Sequence, residues 1–335
     1  MNNWTAIAAL ALLQVPRIGR KTALKVMEAL QSSDVTEESL SHAIAEARLV
    51  YPRIPNASPN QIDIAVHTAR NIVSEAHQHG LVILMNGGDG FPEQLAHIPD
   101  PPVALFVKGD PQCLSCLPSV AIVGTRSPTK WGRDCAYKCG KQFASANALV
   151  VSGLALGCDT AAHQGCLAGG GKTVAVLAHG LANVYPKRNA ALAQQIIEHG
   201  GCLVSEYEPQ TEPRGSNFVD RDRLQTGLSG AVVVIETDLQ GGTMHTVGFA
   251  QQQGRIIACI ASHPEELLNA SQRRGNNKLL HDNIAIPLSD THDLDALLAK
   301  LPVSGTPQIP NNLPRVASDH VASQMSMFSD PEDVP

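Results

Sequence analysis

Several short segments bring glycine, hydroxyl and cationic side chains to places where an anion could be held. Gly124-Thr125-Arg126-Ser127 follows the apolar run 120–123 and precedes a helical stretch. A glycine lets the backbone approach a ligand closely, Thr and Ser hydroxyls and a helix N-terminus donate to anions, and Arg adds a permanently charged bidentate fork. The run 149–152 ends in Ser152-Gly153-Leu154-Ala155-Leu156-Gly157, then Asp159 and, one helical turn on, His163. There Asp159 with Thr160 is expected to cap a helix. Lys187 and Arg188 open a further helix, Phe218 precedes Arg221 and Arg223, and Gly241-Gly242-Thr243 comes soon after Glu236. Any one of these segments is ordinary turn chemistry. Their convergence points to a site for a polyanion or a nucleotide phosphate.

Other motifs fail on inspection. Gly169-Gly170-Gly171-Lys172-Thr173 imitates a phosphate-binding loop, but Cys166 holds the required first glycine position and the run precedes a strand. No dinucleotide fingerprint follows any strand, so no cofactor is expected. Cys113 and Cys116 have zinc-ligand spacing without a second pair, and Cys135 and Cys139 fall one turn apart on a helix, so no metal is expected. No catalytic residue set is evident, and the chain does not read as an enzyme.

The elements that must carry these residues alternate. Apolar runs at 81–85, 103–107, 120–123, 149–152, 173–177, 202–205, 231–236 and 256–260 read as strands, and most are continuously apolar, as parallel strands covered on both faces require. Helical stretches at 133–146, 190–199 and 243–253 supply crossovers. Such alternation predicts an α/β fold with a doubly wound, mostly parallel sheet, whose ligands bind outside the carboxyl ends of the strands. Residues 1–75 have helical spacing instead, and 15–21 could form a helix–hairpin–helix turn offering N–H groups to phosphate, or a plain turn. We expect an N-terminal helical domain at 1–75, the α/β domain at 80–300 and a disordered tail at 301–335, which holds six prolines.

The 335 residues are 43% hydrophobic and 4% aromatic, with eight cysteines. No run approaches the roughly 20 apolar residues that span a bilayer, and no signal peptide is evident, so a cytoplasmic protein with reduced thiols and no membrane partner is expected. The net charge of −6 is uneven: residues 111–230 carry 11 Lys and Arg against 8 Asp and Glu, while every other segment is acidic. A local basic site is compatible with an acidic total.

Taken together, GFPEQLAHIPDPPVALFVKGD (90–110), VAIVGTRSPTKWG (120–132), VVSGLALGCDTAAH (150–163), TVAVLAHGLANVYPKRN (173–189), LVSEY (203–207) and NFVDRDRLQTGLSGAVVVIET (217–237) resemble the DNA-processing protein A family (DprA, also called Smf). The resemblance implies an extended Rossmann-like domain behind a helical domain similar to a sterile-alpha-motif fold. It also implies single-stranded DNA binding, loading of RecA recombinase during natural transformation, a homodimer and no catalysis. By matching positions, Gly124, Thr125, Arg126, Ser152, Gly153 and Gly157 would line a phosphate pocket. Ser127, Lys187, Arg188, Arg221, Arg223, Gly241, Gly242 and Thr243 are further contact candidates, with Asp159 and His163 supporting. The chain departs from the family in having Leu156 for an Arg and Asp222 for an Asn, both of which should weaken phosphate binding, and in having Gly241-Gly242-Thr243-Met244-His245-Thr246 for the usual Ser-Gly-Ser segment. It also shows no match to the winged-helix-like C-terminal domain of many members. With so few aromatic residues, base stacking is expected to be a minor term.

A second reading takes Gly241-Gly242-Thr243 and Glu236 as a partial echo of the related lysine-decarboxylase-like nucleotide phosphoribohydrolases, with Asp222 or Glu236 as general base. In the tail, Gln324-Met325-Ser326-Met327-Phe328 resembles the peptide by which bacterial replication proteins dock on the sliding clamp.

Overall fold

The structure is a computed structural model that describes residues 3–30, 37–267 and 270–302. The chain opens with four helices, α1 (Asn3–Gln14), α2 (Arg20–Ala29), α3 (Glu37–Val50) and α4 (Pro59–Gln78). The last begins with a complete capping box, Ser58 and Gln61 each accepting from the other's backbone N–H. Strands β1 (Val82–Met85) and β2 (Ala104–Gly109) follow, with the single turn α5 (Glu93–Ala96) between them. From β3 (Ser119–Val123) onward, strand and helix alternate: α6 (Lys130–Ser145), β4 (Leu149–Ser152), α7 (Cys158–Ala168), β5 (Thr173–Val176), α8 (Ala190–Glu198), β6 (Cys202–Ser205) and α9 (Gly215–Gly227). The series closes with β7 (Ala231–Val234), α10 (Thr243–Gln252), β8 (Ile256–Ile260), α11 (Ser271–His281), β9 (Ile286–Leu288) and α12 (Thr291–Leu298).

The strands form one sheet in the order β1-β2-β6-β5-β4-β3-β7-β8-β9. Only the β1–β2 and β2–β6 pairs are antiparallel. From β3 the chain winds outward through β4, β5 and β6, then returns to the other side of β3 with β7 and β8. The winding reverses between β3 and β7, whose register pairs Val120 with Ala231 and Val123 with Val234. Ligands of doubly wound sheets bind at such a switch point, beyond the carboxyl ends of the strands. The expected α/β class and all eight expected strands are present. β9 was not anticipated, because Ile286-Pro287-Leu288 is short and carries a proline, which only an edge strand tolerates.

The four N-terminal helices do not stand apart. One apolar core runs from Leu10, Leu12 and Ala69 to Phe106, Ala175 and Leu203 on one face of the sheet. A second core lies on the sheet's other face under α9, α10 and α11, and a third under α6, α7 and α12. The tightest helix contact is between α6 and α7. A Cβ on Gly165 would collide with the Tyr137 carbonyl, and one on Gly140 with the Ala162 carbonyl. Overpacking such a contact costs about 1–3 kcal/mol. Gly165→Ala is therefore expected to lower the urea midpoint by a corresponding amount, and an unchanged midpoint would show that the helices can separate freely.

Candidate nucleic-acid interface

The β3 and β4 loops touch backbone to backbone. The Cys158 amide donates to the Thr125 carbonyl at 3.3 Å. Gly157 adopts φ +85°, and a Cβ there would lie 2.6 Å from the carbonyl oxygens of both Thr125 and Arg126. Both the conformation and the space demand glycine. Gly124 is similarly pressed, its hypothetical Cβ 2.5 Å from the Cys158 Sγ. The loop Gly124–Thr129 is thus pinned from below, and Ser127 folds back to donate its N–H to Thr125 Oγ1 at 3.2 Å.

Arg126, at the crest of that loop, is exposed, and its guanidinium lies 4.9 Å from the ring centroid of Phe218 on α9. Phe218 in turn lies 6.1 Å from Tyr185, and Tyr185 meets His179 edge-on at 6.2 Å. Lys187 and Arg188 follow Tyr185, are exposed, and have no ion pair among the described residues. The low aromatic content hides a local concentration: two of the twelve aromatic residues, Tyr185 and Phe218, stand half-buried beside the crest arginine. The residues were visible in sequence, but their proximity was not.

The other cations sit differently. Arg221 is buried; its Nη1 donates to the carbonyls of Gly153 at 3.0 Å and Val176 at 2.6 Å, and its Nε lies 3.2 Å from Asp222 Oδ1. Arg223, also buried, gives Nη1 and Nη2 to the Glu206 carboxylate at 2.9 and 2.5 Å and Nε to the Asp100 carbonyl at 3.0 Å. Arg20, in the candidate helix–hairpin–helix turn, joins the same group through Asp100 at 2.6 Å and Glu206 at 3.1 Å. These three guanidinium groups are committed to the protein's own oxygens. They fix α9, and with it Phe218, against the sheet.

Asp159 is the second residue of α7 and does not act as its cap. Its Oδ2 reaches back to accept from the amides of Gly153 at 3.1 Å and Ala155 at 3.3 Å, while Gly157 occupies the cap position. Ser152 is buried and donates to the Ile122 carbonyl at 2.7 Å. Gly153 cannot carry a side chain, because a Cβ would overlap the Arg221 guanidinium. His163 is wholly buried; its Nδ1 donates to Thr173 Oγ1 at 2.7 Å, since that hydroxyl itself donates to the Val150 carbonyl. Burial first, then the nearby Arg221, pushes its pKa down to about 3, so it is neutral and structural. Gly241 and Gly242 lead into α10, where Thr243 is buried.

Both candidate general bases of the hydrolase reading are engaged. The Glu236 carboxylate accepts from the Thr129 amide at 2.8 Å and its hydroxyl at 2.6 Å, and is 1% exposed. It fills the anion position at the N-terminus of α6, where a nucleotide phosphate would sit. Asp222 lies between Arg221 and Thr246, and burial raises its pKa to about 6 against the pull of Arg221. Two buried carboxylates, Asp159 and Asp222, therefore share one guanidinium. A carboxyl raised from 3.8 to about 6 supplies stability below pH 4 that is lost as pH rises through 6, by linkage up to about 3 kcal/mol. Asp222→Asn is expected to melt higher than the parent at pH 7.5, with the margin falling to about a third at pH 4.5. Equal melting at both values would remove this account.

The glycine run 169–171 turns just before β5, at the amino-terminal end of the strands and away from the rim, where Lys172 pairs with Asp110 at 3.2 Å. All eight cysteines are free thiols, and among the described residues no group of three metal-ligating side chains converges. No helix there is long and apolar enough to cross a membrane. The clamp-like peptide 324–328 lies outside the described residues.

A doubly wound, mostly parallel sheet with a glycine-pinned, cation-crested loop at its switch point defines a Rossmann-like fold without a nucleotide fingerprint. Residues 82–299 match the model of the DNA recombination-mediator protein A family, and the chain belongs to that family. It is 32% identical over 204 residues to DNA processing protein DprA of Bacillus subtilis, covering 61% of this chain and 68% of that one. To the Streptococcus pneumoniae DprA it is 40% identical over 172 residues, 51% of this chain and 60% of the relative. The X-ray structure of DprA from S. pneumoniae superposes with a TM-score of 0.72 at 28% identity, over 88% of this chain and 98% of that one. A Helicobacter pylori DNA processing protein A structure, described for its single-stranded DNA binding mode, gives 0.59 at 29% identity, over 66% and 97%.

Proposed function

We propose that the protein binds single-stranded DNA along the strand-end rim, with Arg126, Lys187 and Arg188 on phosphates and Phe218 and Tyr185 under bases. The observation that carries this reading is the pairing of the exposed Arg126 guanidinium with the Phe218 ring, 4.9 Å apart, on a loop pinned by Gly124 and Gly157. Cation and aromatic face side by side are what a strand needs, because its phosphates and bases alternate. The backbone donors of Gly124, Thr125 and Ser127 add to the phosphate side, while Arg221, Arg223, Asp159 and His163 hold the loops in place. Binding without catalysis agrees with the burial of Glu236 and Asp222.

The family relationship supports a finer reading, in which the bound strand is protected and passed to RecA recombinase in natural transformation by a homodimer. The single-stranded DNA binding described for the H. pylori relative supports the ligand class. Fluorescence anisotropy of oligo-dT and of the matching duplex across a salt series tests the function. Tight, salt-sensitive binding with a preference for the single strand is expected. Equal affinity for duplex, or release of free base from nucleoside monophosphates, would overturn it.

A further inference from the structure

We propose that the single strand does not end at Arg126 but continues to a second stacking station formed by Trp131 and His263; this rests on the reading of the rim as a single-stranded DNA site. Trp131 is the second residue of α6, five residues beyond Arg126, and His263 lies in the loop that follows β8. Both therefore stand on the same carboxyl rim, on the far side of the crest loop from Phe218. Their ring centroids are 4.5 Å apart at an interplanar angle of 36°, and both rings remain partly open to solvent.

The charges around this pair break a local rule. Cations at a helix N-terminus oppose the macrodipole, yet α6 begins with Lys130, carries Arg133 in its first turn, and has no acidic residue there. Lys130 and Arg133 are exposed and have no ion pair among the described residues. The buried Glu236 carboxylate offsets the dipole through Thr129, while both side-chain cations stand exposed, where an anionic ligand can meet them. Two further groups at the station lack protein partners: His263 Nε2 and Arg273 Nε are both buried and make no hydrogen bond. The nearby carboxylates do not neutralise the cations. Glu236 is spent on Thr129, and Asp238 on Arg274 at 2.6 Å, leaving Asp134 and Glu265 at the surface. Open aromatic surface flanked by unpaired cations repeats the chemistry of Arg126 and Phe218. The ligand that fits both stations at once is one strand whose phosphates cross the crest between them.

The chain has two tryptophans, so Trp4→Phe in the full chain leaves Trp131 as the sole indole reporter. Oligo-dT of about six nucleotides, enough for one station, and of about fifteen, enough for both, would be titrated against it. The longer strand is expected to quench Trp131 and to bind more tightly than the shorter, which leaves Trp131 unquenched. Trp131→Ala is expected to weaken the longer strand by roughly tenfold while leaving the shorter within about twofold, and Trp131→Phe, which keeps a ring, restores most of that loss. Lys130→Ala with Arg133→Ala flattens the salt slope for the longer strand alone. Equal losses for both lengths, or no gain in affinity with length, would overturn the second station while leaving the first intact. Failure of either strand to bind would instead remove the function on which it rests.

Discussion

Replacing Arg126 by alanine is expected to lower the affinity for oligo-dT about tenfold, and Arg126→Ala with Phe218→Ala together by two orders of magnitude or more. Each stacked base contributes about 1–3 kcal/mol, and a charge-assisted phosphate contact a similar amount. The two single variants are distinguishable. Arg126→Ala removes one phosphate contact and flattens the slope of log affinity against log salt by about 0.7, whereas Phe218→Ala leaves the slope unchanged. Neither should melt lower than the parent by more than a few degrees, because Arg126 is exposed and Phe218 half-buried. The measurement is anisotropy across a salt series for the parent and three variants. Unchanged affinity in the double variant would take the strand off this rim.

Arg221→Ala is expected to act through the fold, at a cost of about 3–5 kcal/mol, because it leaves Asp159 and Asp222 buried without their cation. It also orphans the carbonyls of Gly153 and Val176. Urea denaturation would register the loss, and DNA binding would fall only with the folded fraction. Adding Asp222→Asn removes one of the stranded charges and should recover part of the stability. A stable Arg221→Ala variant with a reduced salt slope would contradict this assignment and return Arg221 to the list of phosphate contacts.

These outcomes separate two arginines that look alike in sequence, Arg126 and Arg221. Strand positions were legible because parallel strands buried on both faces must be apolar throughout, as Ala231 to Val234 are. The rim was legible because glycine, hydroxyl and arginine recur just after those runs. The fate of each arginine was not, since burial of Arg221 and Arg223 depends on carbonyls and carboxylates supplied by β5, β6 and the loop at Asp100. The role of Glu236 was hidden for the same reason: only the pairing of β3 with β7 brings it to Thr129. Asp159 was misread as a cap because its reach back to Gly153 depends on the left-handed turn at Gly157.

The central claim is that a single strand lies across the crest at Arg126, with its bases toward Phe218. A crystal structure of the full chain with oligo-dT tests it most directly. The account predicts a phosphate oxygen about 2.7–2.9 Å from the Arg126 guanidinium and a base stacked on the Phe218 ring. A strand bound at the amino-terminal end of the sheet's strands, beside Lys172 and the glycine run, would contradict it.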